Sequence, residues 1–291
     1  MRRIHRYPID PALLRQAAAG EAAHHGPAGL QLHSSGRGPR LQWYTPNDFV
    51  WNRAAIALRD LPPALAGLRL LHLSDLHLRK QWGKAYDDLI AKVQSDPPDL
   101  ILFTGDFVDN RFDPRLALPT VLRLFAGLPA KHGVYAILGN HDPDVMLPYL
   151  AQAGIQFITH QRVLVPMPGG TIELIGFPGP ARQDLDPEFI NALPPRAPGV
   201  PRIVLSHYPD LLGAALPLDP DLYLTGHTHG GQICWPNGWP LLTHDGMPRR
   251  FCKGVHRIGQ TWYSVSNGFG FTGVSLRVFC PAEVTEFTLR A

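Results

Sequence analysis

Apolar residues in this chain gather in short runs that stop abruptly on polar, chemically active side chains. Leu100-Ile-Leu-Phe103 lies between Asp-Pro-Pro-Asp and Thr-Gly-Asp106, the pattern of a strand buried on both faces. Leu68–Leu73 runs into Ser74-Asp75-Leu76-His77, and Gly133–Leu138 runs into Gly139-Asn140-His141-Asp142. Val200–Leu205 ends in Ser206-His207, and Asp221–Thr225 ends in Gly226-His227-Thr228-His229. Helical spacing falls between these strands: Lys84–Gln94 places Tyr86, Leu89, Ile90 and Val93 on one face, and Leu116–Leu128 supplies another helix. Strand, helix and strand in that order make a βαβ unit. In open α/β sheets, the strand ends are where chemistry sits.

The remaining segments are less regular. Pro11–Ala23 has helix-forming character, and residues 24–40 read as a loop or linker. Phe49–Leu58 predicts a first strand. Residues 1–47 are therefore taken as an N-terminal extension and 48–291 as a single catalytic domain. Ile155–Ile158, Val163–Val165 and Thr171–Ile175 predict short strands, the last two joined as a hairpin across Pro168-Gly169-Gly170. From Gln232 onward, Thr261–Val265, Val274–Phe279 and Val284–Leu289 are β-rich pieces expected to pair into a second sheet.

Composition narrows the function only by exclusion. A formal charge of +3 with 45% hydrophobic residues is ordinary for a globular chain, and no nucleic-acid partner is expected. Cys234, Cys252 and Cys280 form no C-x-x-C pair, which points away from a disulfide framework or zinc knuckle and toward a reducing, cytoplasmic setting. A charged start with Arg2-Arg3 is followed by no apolar core, because Pro8, Asp10, Pro11, Arg15, Gln16 and Glu21 interrupt it; an export signal is not expected. No apolar stretch reaches membrane-span length, so any membrane contact is expected to be peripheral, at the inner membrane.

The polar strand ends supply the chemistry: Asp75, His77, Asp106, Asn140, His207, His227 and His229. Mixed oxygen and imidazole donors suit Mn, Fe, Zn, Co or Ni better than Mg or Ca. On an extended segment, Asp-x-His and His-x-His point both side chains to one face. Seven ligands exceed what one substrate-binding ion needs, so two ions are expected, bridged by a carboxylate, either Asp75 or Asp106. Two divalent ions less two aspartates leave roughly +2, enough to hold a hydroxide nucleophile and an anionic phosphate. No G-x-S-x-G elbow or phosphate-binding P-loop competes with this reading.

Asp75-Leu-His77, Gly105-Asp106-Phe-Val-Asp109, Gly139-Asn140-His141-Asp142, His207 and Gly226-His227-Thr-His229 resemble, in order, the five motifs of the calcineurin-like metallophosphoesterases. The resemblance covers residues 48–291. It implies an α/β fold, a four-layer αββα sandwich with its metal site at the C-terminal ends of the strands. Asp75, His77, Asp106 and His229 would hold one ion, and Asp106, Asn140, His207 and His227 the other, with Mn the expected metal and Asp106 the bridge. It further implies that His141 faces the substrate, stabilising phosphate charge or protonating the leaving alkoxide. Asp109 is the expected orienting carboxylate for His141, with Asp142 as rival.

Asn110 stands where the protein serine/threonine phosphatases of this superfamily carry Arg, which disfavours a phosphoprotein substrate. Gly226–Gln232, Ser266–Gly270 and Arg277 are similar to a bacterial phosphodiesterase subgroup that includes enzymes cleaving UDP-diacylglucosamine. The expected partner is thus a small-molecule, nucleotide or lipid-linked phosphoester, with a phosphodiesterase preferred over a phosphomonoesterase. Non-catalytic scaffolds of the same fold usually lose a ligand or the substrate-facing His, and this chain keeps both. His72 is read as a packed histidine, and Trp235 and Trp239 as hairpin residues packing in the second sheet, with a grip on an acyl chain or base as the alternative.

Overall fold

Two mixed β-sheets stack face to face, with helices on both outer surfaces. The computed structural model describes residues 8–24, 29–179, 181, 185–243 and 245–291; the charged start at residues 1–7 lies outside them. The first sheet runs β1 (Leu30–Ser34), β3 (Val50–Ala57), β15 (Glu283–Arg290), β4 (Arg69–Leu73), β5 (Leu100–Phe103), β6 (Val134–Ala136), β7 (Ile155–Phe157). The second runs β12 (Gly254–Ile258), β13 (Thr261–Val265), β11 (Leu222–Thr225), β10 (Arg202–Leu205), β9 (Gly170–Gly176), β8 (Gln161–Met167). A separate antiparallel ribbon joins β2 (Leu41–Trp43) to β14 (Leu276–Val278).

Strands β4 to β7 are mutually parallel, as are β9, β10, β11 and β13. The carboxyl ends within each parallel set therefore share an edge. Leu100 and Leu102 of β5 point between the sheets, against Leu174, Ile203 and Leu222 of the second sheet. Ile101 and Phe103 point the other way, into a core with Leu89 and Val93 of α2 (Lys84–Ser95) and Val121 and Phe125 of α3 (Leu118–Ala126). Leu150 of α4 (Leu147–Gln152) joins them. A strand covered on both faces has no polar side, which is why it reads as an unbroken apolar run. On the far surface, Ala17 of α1 (Pro11–His24) and Leu212 of α6 (Leu212–Ala215) pack with Val204 and Tyr263, and Phe189 of α5 (Pro187–Ala192) sits beside them. The layers are helix, sheet, sheet, helix: the αββα sandwich.

Three expectations need correction. The late β pieces do not all enter the second sheet: β15 inserts into the first, parallel to β3 and antiparallel to β4, and β14 pairs with β2. Local alternation identifies a strand but carries no information on a partner more than two hundred residues away. The stretch 24–40 is not all loop, since β1 pairs antiparallel with β3. Its side chains are mostly exposed, so main-chain hydrogen bonds rather than an apolar face hold it, and periodicity cannot detect it. Trp235 and Trp239 do not pack in the second sheet; they are 58% and 46% exposed on a tight turn closed by Trp235 N–H to the Trp239 carbonyl at 2.9 Å. No helix among the described residues is long and apolar enough to cross a membrane.

Candidate metal centre

The loops following β4, β5, β6, β10 and β11 bring all seven sequence-derived candidate ligands together. Asp106 lies at the middle: its Oδ2 is 3.3 Å from His77 Nε2 and 3.4 Å from His207 Nε2. On one side, His77 Nε2 and His229 Nε2 are 3.0 Å apart, and Asp75 Oδ1 is 3.4 Å from His229 Nε2. On the other, His207 Nε2 lies 2.9 Å from Asn140 Oδ1 and 3.2 Å from His227 Nδ1. Two donor clusters thus share one carboxylate.

Convergence does not come from extended Asp-x-His and His-x-His segments. Asp75, His77, Asp106, His227 and His229 all have positive φ, between 39° and 68°, a conformation that costs non-glycine residues energy and concentrates at functional sites. Each strand ends and its loop turns sharply, aiming the side chain across the edge. Gly139 makes one such approach feasible: a Cβ there would lie 2.1 Å from Asp106 Oδ1.

Hydrogen bonds behind the donors fix their orientation. The Nδ1–H of His207 donates to the Thr104 carbonyl at 2.8 Å, leaving Nε2 for the centre. Asp75 Oδ2 accepts from Ser74 Oγ at 2.6 Å, Ser74 Oγ accepts from Thr104 Oγ1 at 2.8 Å, and Thr104 Oγ1 meets His72 Nε2 at 2.9 Å. His72 is fully buried, and burial lowers its pKa to about 3, so it is a neutral packed ring at the far end of this chain. Asp142 accepts from the backbone amides of Asp106, Phe107 and Gly139 at 2.7, 2.7 and 2.8 Å and from Val108 at 3.3 Å. It clips two ligand loops together.

His141 lines the cavity over the cluster and holds its ring through Nδ1–H to the Asp109 carbonyl oxygen at 2.7 Å. The orienting group is therefore a main-chain carbonyl, not a carboxylate. The Asp109 side chain instead accepts from Arg79 Nε at 2.9 Å and stands 3.8 Å from His77 Nδ1. Arg277, fully buried, donates to the Asn267 and Gly270 carbonyls at 2.7 and 2.8 Å and lies 3.2 Å from His229 Nδ1.

Electrostatics favour cations here. Burial pushes the Asp75 carboxyl up, with Asp106 adding to it. Burial works against Asp106 too, yet the charge and hydrogen bonds of His207 and His77 hold it well below the carboxylate range. Burial alone would lower His207, but Asp106 and Asp75 carry it to about 9; burial likewise opposes protonation of His77, and Asp106, Asp75 and Asp109 raise it. His229 is held well below its usual value by burial, His77 and Arg277. The aspartates thus draw positive charge among buried side chains. Facing imidazole nitrogens at 3.0 and 3.2 Å, with carboxylates beside them, fit divalent ions that would satisfy several lone pairs at once. The residues fit the metals expected of them.

Ser74, Thr104 and, in its role as a loop clip, Asp142 support the site without a motif of their own. Single hydroxyls and turn aspartates carry no spacing signal. Gly268 and Gly270 let the 266–271 loop pack beneath Asp75, where Gly270 N–H donates to the Asp75 carbonyl at 2.7 Å; Phe269 packs against Phe49 and Tyr86 rather than facing a substrate.

A family model described as Calcineurin-like phosphoesterase matches residues 68–231. Uncharacterized metallophosphoesterase YkoQ of Bacillus subtilis is 30% identical over 247 residues, 82% of this chain and 89% of that protein. Uncharacterized metallophosphoesterase YkuE of the same organism is 30% identical over 79% of this chain and 82% of its own. Phosphodiesterase YaeI of Escherichia coli is 30% identical over 77% of this chain and 83% of its own.

Proposed function

The chain belongs to the calcineurin-like phosphoesterases, hydrolases of phosphoric esters that use divalent metal ions, and from that membership we propose that it is a binuclear phosphodiesterase. The observation that carries the reading is the position of Asp106 Oδ2, 3.3 Å from His77 Nε2 and 3.4 Å from His207 Nε2. In this assignment Asp75, His77, Asp106 and His229 hold one ion, and Asp106, Asn140, His207 and His227 the other. Such a pair, with Mn preferred, would neutralise phosphate charge and activate water.

The protein's own groups do the rest. Asp106 spans the two clusters through Oδ2, which faces both His77 and His207, while Oδ1 accepts the His141 amide. His141 is not assigned as a ligand: with its Nδ1–H on the Asp109 carbonyl, the imidazolium form would carry its second proton on Nε2, ready for a phosphoryl oxygen or the departing alkoxide. Asp109 acts on Arg79 and His77 rather than on substrate. Residues 48–291 form the catalytic unit in this reading, with 1–47 as its extension. Free, buried Cys234, Cys252 and Cys280 are compatible with a reducing cytoplasm.

The test is hydrolysis of bis(p-nitrophenyl) phosphate and p-nitrophenyl phosphate after chelation and reloading. Loss of activity with chelator, return with Mn, about two ions per chain and faster turnover of the diester are expected. Full activity in the chelated protein would refute the proposal.

A further inference from the structure

Arg79 follows Asp75-Leu-His77-Leu78 directly, yet it belongs to neither donor cluster. The loops after β4 and β5 run side by side there: Leu78 N–H donates to the Phe107 carbonyl at 2.8 Å, and Asp109 N–H to the Leu78 carbonyl at 3.2 Å. Arg79 and Asp109 leave this short ladder as neighbours. The guanidinium then bonds in two directions, Nε to Asp109 Oδ2 at 2.9 Å and Nη1 to Ser275 Oγ at 2.6 Å. A planar fork fixes both partners at once, which a flexible ammonium does not.

Each partner leads into the site. Asp109 stands behind two of its rings: the carbonyl accepts His141 Nδ1–H at 2.7 Å, and Oδ1 lies 3.8 Å from His77 Nδ1. That His77 nitrogen is buried and has no hydrogen-bond partner among the described residues, so the Asp109 carboxylate is the acceptor the structure offers it. A ligating histidine is oriented by such a bond on its other nitrogen. Ser275 follows Thr272, Gly273 and Val274, which line the cavity over the centre. Gln232 holds that turn from the other side, through Nε2 to the Thr272 and Val274 carbonyls at 2.9 and 2.8 Å and through Oε1 to the Thr272 amide at 2.9 Å. Arg79 is outside the lining, and its route to the chemistry runs through Asp109.

We propose that Arg79 is a positioning residue: its fork braces Asp109 between the cavity turn and the centre, and so sets the rings of His77 and His141 together. This rests on the phosphoesterase reading, in which His77 holds an ion and His141 serves the leaving group. It adds that one guanidinium governs both rings.

The test begins with Arg79→Lys, which keeps a positive charge beside the ions and removes the fork, so its effect reports geometry rather than long-range attraction. Mn affinity, measured by competition with a chromogenic chelator, should fall about tenfold or more at one of the two ions. Turnover of p-nitrophenyl methyl phosphate should fall about tenfold or more, with KM within about twofold of wild type. Ser275→Ala leaves the Arg79–Asp109 pair but frees its far end, and should give smaller losses of the same pattern. In an Asp109→Ala background, Arg79→Lys should add less than about twofold to either loss, because Arg79 acts through Asp109. Wild-type affinity and turnover in Arg79→Lys, or losses that multiply in full in the double variant, overturn the proposal. Wild-type protein that binds Mn without turning over the ester defeats the catalytic reading alone, and the affinity cycle still decides the role of Arg79.

Discussion

The main-chain amide of His141 donates to Asp106 Oδ1 at 2.8 Å, tying the residue proposed to face the substrate to the central carboxylate through backbone rather than through its ring. His141→Ala therefore keeps that bond and removes only the imidazole. Turnover should fall about 10²- to 10⁴-fold, the range for losing a general acid. Metal content, read by mass spectrometry of the loaded protein, should stay near the wild-type value. Loss of either ion in this variant would make His141 a ligand, a role its proximity to His77 and Asp106 makes worth testing.

Asp106 and Asp75 are distinguished by what each touches. Asp106 Oδ2 lies 3.3 and 3.4 Å from His77 and His207, one from each cluster, whereas Asp75 Oδ1 lies 3.4 Å from His229 and 4.0 Å from His77, both of one cluster, and its carboxylate comes only within 4.8 Å of His207 of the other. Asp106→Asn should lose both ions and reduce turnover by about 10³-fold or more, roughly 4 kcal/mol of transition-state stabilisation. Asp75→Asn should retain close to one ion per chain. Equal metal loss in the two would remove the distinction between bridge and terminal ligand.

What the sequence reveals about this site depends on how local the signal is. Strands β4, β5, β6, β10 and β11 are legible because both their faces are buried, and the donors are legible because each follows such a strand at once. Side-chain direction is not. Asp75, His77, Asp106, His227 and His229 converge through positive φ, so alternation along an extended segment reaches the right residues for the wrong geometric reason. The support for His141 eludes motif reading because a carbonyl oxygen at residue 109 carries no residue type. The place of β15 between β3 and β4 is equally hidden, since it depends on pairing across most of the chain.

Asp142 offers a stability prediction separate from catalysis. Its buried carboxylate accepts four backbone amides from the loops carrying Asp106 and Asn140. Asp142→Ala strands these donors away from water, at a cost of about 1–3 kcal/mol for each unsatisfied group before relaxation. With relaxation a net loss of about 3–5 kcal/mol is expected, visible as a lower midpoint in urea unfolding of metal-free protein. Asp142→Asn, which keeps one strong acceptor oxygen, should recover part of it. An unchanged midpoint for the alanine variant would mean the loops are held by other contacts.

Glu21 anchors α1 to the second sheet, with Oε1 2.7 Å from His256 Nδ1 and Oε2 3.3 Å from Arg250 Nε. Burial opposes its ionisation, but the hydrogen bond and charge of His256, with Arg250 behind, bring its pKa below the ordinary value. A carboxyl lowered on folding contributes stability above its unfolded pKa of about 4.3, and this is lost as pH falls through the lower, folded value. Glu21→Gln should therefore cost about 1 kcal/mol near pH 7, in line with a partly exposed charged pair. The gap between wild type and variant in thermal unfolding should hold from pH 7 to about 5 and close below about 4.3. His256 is the main partner, so His256→Gln should abolish most of the same pH-dependent gap. A gap that persists unchanged to pH 3 would mean α1 is held by its apolar face, through Leu13, Leu14 and Ala17, and not by this ion pair.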